Sequence, residues 1–140
     1  MNIAKLKSEL IRDEGLRLKP YKDTVGKLTI GVGRNIDDMG ITHDEAMFLL
    51  GNDISFVEAD LDAKLPWWRN LDEVRQRVLA NMVFNLGITR FLRFKNTIAL
   101  IEVKRYKAAS EEMLKSVWAE QVGIRAKRLA QMMCDGKEPV

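Results

Sequence analysis

A single cysteine, Cys134, and a single histidine, His43, leave this 140-residue chain little of what two large classes of chemistry require. One thiol cannot close an intramolecular disulfide, and neither residue has neighbours for a Cys/His cluster, so no metal and no cofactor is expected. Cys134 reads as a partly buried apolar thiol near the end of the last helix, and His43 as surface structure at a helix start. No apolar run approaches the roughly 20 residues of a membrane-spanning helix, so membrane insertion is not expected. The start, Met1-Asn2-Ile3-Ala4-Lys5-Leu6-Lys7-Ser8-Glu9-Leu10, interleaves charge with apolar residues and resembles neither a secretory signal nor an anchor, which predicts synthesis in the cytoplasm. Internal repeats, low-complexity tracts and flexible linkers are also missing. Net charge is only +3 at a pI near 9.1, too weak by itself to name an anionic partner. The basic cluster from Arg125 to Arg128 is too small to argue for nucleic acid.

What is present is an ordinary globular composition, 46% hydrophobic and 31% charged, in a chain long enough for one domain or two small lobes. Ile3, Leu6, Leu10 and Ile11 recur at helical spacing, predicting a first helix that ends at Glu14, with Gly15 as its left-handed stop. From there to about residue 41, glycines and alternation predict a small antiparallel sheet, with Leu28, Ile30 and Val32 on one face and Thr29, Gly31 and Gly33 on the other. Thr42 and Glu45 have the spacing of a capping box. It opens a helix over about 43–64, striped by Ala46, Leu49, Leu50, Ile54, Val57 and Leu61 and stopped before Pro66. Asn70 with Glu73 suggests a second cap, for an apolar helix that Gly87 closes. Shorter helices are predicted at about 91–94, 96–105, 107–115, 117–121 and 124–133. The fold class is therefore α+β and predominantly helical.

Two carboxylates and a hydroxyl stand out around the first turn. Glu14 lies at a helix end, and Asp23 and Thr29 are symmetric about Gly26. A hairpin turning at that glycine would face them across its strands, where they could hold one water between them. A proton donor and a water-activating base on opposite sides of a bond are what glycoside hydrolysis needs. Taken alone, Asp23 before Thr-Val-Gly reads equally as an Asx turn cap.

These residues also carry a resemblance. Glu14, eight residues, Asp23, five residues, Thr29 is similar to the signature of phage-type lysozymes of glycoside hydrolase family 24, the endolysins. The likeness continues through Asp13-Glu14-Gly15-Leu16-Arg17-Leu18-Lys19, Tyr21-Lys22-Asp23-Thr24, Thr29-Ile30-Gly31-Val32-Gly33, Asn81-Met82-Val83-Phe84 and Arg125-Ala126-Lys127-Arg128. It implies one lysozyme domain over 1–140: helix 1–14 packed with the C-terminal lobe, a β-lobe at about 15–41, a connecting helix at about 43–64 and a helical lobe at about 65–140. It implies a monomeric enzyme that hydrolyses β-1,4 bonds in bacterial cell-wall peptidoglycan with inversion. Glu14 would be the acid, Asp23 the base and Thr29 the residue that places the water. The enzyme would be made in a host cytoplasm and reach the wall through a separate membrane lesion. Further positions follow from the same likeness. Gly33, Asn35, Phe84, Asn85 and Thr97 would contact substrate. Arg125 would pair with Glu14, and Arg34, where several relatives have His, with Asp53. Trp118 would be buried packing. Two departures stand out. Val117 replaces a cleft arginine, and only Arg34–Ile41 separate Gly33 from the capping box, so the β-lobe wall of the cleft should be smaller. A non-catalytic wall-binding or phage structural module that kept the fold is the rival reading.

Overall fold

The computed structural model describes residues 1–139, and the chain divides into two compact units, Met1–Leu49 and a second that begins at Leu50. The architecture is mixed and mostly helical, with a small antiparallel sheet in the first unit and a helical second unit, as the sequence predicts for a lysozyme-like chain.

In the first unit, α1 (Ile3–Glu14) is opened by Asn2, whose side chain accepts the Lys5 N–H at 3.0 Å. Gly15 ends it at φ 80°, ψ 161°, so the stop is an extended positive-φ glycine and not the left-handed helical cap predicted. No residue of α1 is buried; Ile3, Leu6, Leu10 and Ile11 all remain exposed. Three strands follow in the order β1 (Arg17–Lys22), β2 (Leu28–Gly31) and β3 (Arg34–Asn35), each antiparallel to the next. Pro20, which has no N–H to donate, sits in edge strand β1 where the register with β2 is interrupted between Arg17 and Tyr21. Val32 is not in a strand. It lies in the turn from β2 to β3, between Gly31 at φ 72° and Gly33 at φ 67°.

A one-turn helix, α2 (Ile36–Met39), fills the short connection and was not predicted. It forms because Asn35 caps it, accepting the Asp38 N–H at 3.0 Å, while Gly40 ends it at positive φ. The capping box is present: Thr42 Oγ1 accepts the Glu45 N–H at 3.1 Å and Glu45 Oε1 accepts the Thr42 N–H at 2.9 Å. It opens α3 (His43–Lys64), within which the division between units falls. Of the predicted stripe only Val57 and Leu61 are buried; Leu49, Leu50 and Ile54 are exposed.

The second unit holds the core. After a 3-10 turn at Pro66–Asn70 comes α4 (Glu73–Leu86), which contributes the buried Val78, Leu79, Met82 and Val83. Its cap is Asp72, not Asn70, because the 3-10 turn carries Asn70 before the helix begins; Asp72 accepts the Arg75 N–H at 3.1 Å. Gly87 stops α4 and the chain turns at once into α5 (Ile88–Phe91), three residues earlier than the sequence suggests. Then come α6 (Lys95–Glu102), α7 (Tyr106–Leu114), α8 (Val117–Val122) and α9 (Ile124–Asp135). Phe91, Ile101, Met113, Trp118 and Met133 belong to the same buried cluster. Cys134 is partly buried in the last turn of α9. No helix among the described residues is long and apolar enough to cross a membrane.

Arg75 ties the end of the chain to this core. Its guanidinium donates to the Met133 carbonyl at 2.7 Å and the Cys134 carbonyl at 3.0 Å, which the last turn of α9 leaves without helical partners. It also pairs with Asp72 at 3.0 Å and lies over the Tyr106 ring, 3.6 Å from its centroid. Arg75→Ala should therefore destabilise the second unit by about 2–3 kcal/mol, and Arg75→Lys should restore little, because an ammonium cannot reproduce the fork. Denaturant unfolding followed by tryptophan fluorescence measures this, since Trp67, Trp68 and Trp118 all lie in that unit.

Candidate active site

The first unit holds Glu14 at the end of α1, Asp23 in the β1–β2 turn, Thr29 in β2, Gly33 in the β2–β3 turn and Asn35 in β3. Glu14 ends α1, and the chain reverses at Gly15 into β1. Its carboxyl group rests against the β2–β3 turn, where a methyl group placed on Gly33 would lie 3.0 Å from Glu14 Oε2 and 3.4 Å from its carboxyl carbon. That is tighter than nine in ten such contacts, so a larger residue would push the Glu14 carboxyl away by a few tenths of an ångström, and the positive φ of position 33 independently favours glycine. Asp13 beside it is held by Arg12 at 2.9 Å.

Asp23 and Thr29 belong to the β1–β2 hairpin, but its centre is one residue earlier than predicted. Tyr21 pairs with Thr29 and Lys22 with Leu28, while the Asp23 N–H donates to the Lys27 carbonyl at 2.9 Å. The loop is a turn closed by the Gly26 N–H to the Asp23 carbonyl at 3.0 Å, with Gly26 at φ 82°. Thr29 is therefore diagonal to Asp23, two residues along on the facing strand, and not directly opposite it. The Asx turn is real: Asp23 Oδ1 accepts the Val25 N–H at 3.0 Å and the Lys27 N–H at 2.8 Å. Among the described residues Asp23 Oδ2 makes no hydrogen bond. Thr29 is buried, only 4% exposed, and its hydroxyl donates to the Lys27 carbonyl at 2.9 Å.

Asn35, expected to meet substrate, spends its side chain on α2: Oδ1 accepts the Asp38 N–H at 3.0 Å, and Nδ2 donates to Asp38 Oδ2 at 2.9 Å. Asp37 on the same turn accepts the Leu28 N–H at 2.6 Å, so α2 fastens the strand that carries Thr29.

Two arginines find side-chain partners within their own units. For Arg34 the expected partner was Asp53 and the one found is Glu45. The pair is a two-pronged fork, with Nη1 to Oε1 and Nη2 to Oε2 both at 3.0 Å. Arg34 Nη1 also donates to the Gly40 carbonyl at 3.2 Å. The Thr42 N–H, then the Arg34 guanidinium and the Thr42 hydroxyl, hold the Glu45 carboxyl down at about 2 from an ordinary 4.5. For Arg125 the expected partner was Glu14 and the one found is Asn81, whose Oδ1 accepts from Nε at 3.0 Å and Nη2 at 2.8 Å. The capping-box spacing disclosed Glu45, but nothing in it showed that the carboxylate had a second fork to offer.

In the second unit Phe84 is exposed and lines two adjoining pockets. One, of about 400 Å³, includes Asp53 and Asp60; the other, of about 430 Å³, includes Arg77, Asn81 and Arg125. Asn85 is exposed, yet its Oδ1 accepts from Trp118 Nε1 at 2.8 Å, which satisfies that buried indole. Thr97 is buried in the first turn of α6, 3% exposed. His43 stands on the surface.

A sequence profile of the family described as Phage lysozyme matches residues 12–131, from the end of α1 into α9. Probable T4-type lysozyme 1 of Dictyostelium discoideum is 29% identical, over 96% of this chain and 96% of its own length. An endolysin of Acyrthosiphon pisum secondary endosymbiont phage 1 is 36% identical over 74% of this chain and 71% of its own. The pre-baseplate central spike protein Gp5 of Enterobacteria phage T4 is 28% identical over 91% of this chain, which corresponds to 27% of the spike protein. With a profile match over most of its length and relatives of this kind, the chain belongs to the phage lysozyme family of glycoside hydrolases.

Proposed function

We propose that the chain is an endolysin that hydrolyses the β-1,4 bond between N-acetylmuramic acid and N-acetylglucosamine in peptidoglycan, inverting the anomeric carbon. The observation that carries this reading is the division of labour within the hairpin. One oxygen of Asp23 is consumed by the turn and the other is left over. The hydroxyl proton of Thr29 is committed to a carbonyl, so its oxygen can only accept. A water that donates one proton to Asp23 Oδ2 and the other to Thr29 Oγ1 keeps a lone pair free for the anomeric carbon. As the C–O bond breaks, Glu14 gives its proton to the leaving oxygen, Asp23 takes one from water, and the hydroxyl adds from the opposite face. Family membership and the endolysin and lysozyme relatives support the substrate class.

Purified peptidoglycan treated with the purified protein should release new reducing ends, and NMR within the first minutes should show the α-anomer in excess before mutarotation. A first-formed β-anomer would mean retention, and a ring-closed, non-reducing product would mean that no water attacks. A wall-associated structural module is the second reading, favoured by the spike relative. It predicts binding to walls without reducing-end release.

A further inference from the structure

We propose that Arg34 is a positioning residue: its fork onto Glu45 sets the distance between the acid and the water-holding pair. The inference rests on the assignment of Glu14, Asp23 and Thr29 to those roles. Arg34 stands between two residues that touch the two halves of the site. Gly33, before it, carries the backbone against which the Glu14 carboxyl lies. Asn35, after it, pairs with Thr29 in the sheet, and Arg34 itself pairs with Ile30. Strand β3 is only two residues long, and the turn leading into it is flanked by glycines at positive φ on both sides. So short a strand has few ladder bonds to fix its position, and the glycines leave the turn free to bend.

The guanidinium supplies the missing anchor. It holds the carboxylate of Glu45 at two points and the Gly40 carbonyl at a third, joining β3 to the end of α2 and the first turn of α3. Glu45 is held in turn by the Thr42 N–H at 2.9 Å. A planar fork fixes angle as well as distance, which a lysine cannot do. With side chains 32% and 41% exposed, the pair adds little to global stability, so its loss should show in geometry. A shift of the order of 1 Å at Gly33 moves the acid relative to Thr29, and displacements of that size cost catalysis heavily.

Arg34→Met keeps the stem and removes every donor. It should lower kcat on peptidoglycan about tenfold or more with KM changed less than about twofold, and raise amide hydrogen exchange at Val32 and Gly33 about tenfold. Glu45→Gln retains the capping acceptor but weakens the fork, and should reproduce the kcat loss. Arg34→Lys should recover only part of it. Asp72→Ala removes the cap of α4, in the other unit, and should lower the melting temperature while leaving kcat near wild type. Unchanged kcat and unchanged exchange in Arg34→Met would overturn the proposal, and so would an equal kcat loss in Asp72→Ala, which would make the effect merely structural. If the wild-type protein releases no glycan while exchange still responds in Arg34→Met, the fork holds the turn and the acid and base assignment is what fails.

Discussion

Glu14→Gln should leave a folded protein with about a thousandth of wild-type turnover, within the range that a general acid supplies. The substitution is close to isosteric, so the contact with Gly33 survives in shape. The side chain makes no hydrogen bond among the described residues that an amide would break. A surface change of this kind costs stability no more than about 0.5 kcal/mol. Under the proposed assignment what disappears is the transferable proton, without which the leaving sugar departs as a poor, charged alkoxide. Reducing-end release by the wild type and the variant, with circular dichroism as the check on folding, measures it. A folded variant that keeps a tenth of the activity would move the acid to another residue.

The positions of Glu14 and Asp23 were legible because short-range sequence chemistry fixes where those residues stand. The helix ends at Glu14 because glycine follows it, and Thr42 with Glu45 opens α3 through bonds made within one turn. Even the two readings of Asp23 were visible at once. The structure keeps the turn and leaves the second oxygen over. Register was harder. Gly26 looked like the centre of the hairpin, but as the residue that closes a tight turn it lies beyond the centre, which moves Thr29 from opposite Asp23 to diagonal. Periodicity also overstated burial. Leu49, Leu50 and Ile54 share helical spacing with Val57 and Leu61, yet only the last two are in the core. A stripe shows which face is apolar and not what covers it. Least legible were the long-range partners of arginines. The bond from Arg75 to Met133 spans 58 positions, and that from Arg125 to Asn81 spans 44. A guanidinium donates to any carbonyl or carboxylate that the fold brings near, so sequence supplies the donor and tertiary structure chooses the acceptor. Gly33 belongs to the same class: its positive φ suits any turn, but its role as the seat of Glu14 depends on where α1 ends in space.

Asp23→Asn should cut kcat by at least about a thousandfold while leaving KM within about twofold, because it separates the two duties of this residue. The turn needs only an acceptor for the Val25 and Lys27 N–H groups, and an asparagine carbonyl oxygen provides one as well as a carboxylate does. The hairpin, the pairing of Tyr21 with Thr29 and the bond from Thr29 to the Lys27 carbonyl should all persist. The amide cannot take a proton from water, so the attacking hydroxyl is not formed. Asp23→Cys reverses the balance. Sulfur is a weak acceptor and gives up the turn, yet a thiolate can still act as a base. The order of the two variants therefore decides which duty matters. If Asp23 serves only as a turn cap, the asparagine variant should match the wild type and the cysteine variant should be the weaker. If Asp23 is the base, the cysteine variant should keep measurable turnover and a lower melting temperature, while the asparagine variant is well folded and inactive. Full activity in Asp23→Asn would mean that another group activates the water, and the hairpin would be left with a purely structural aspartate.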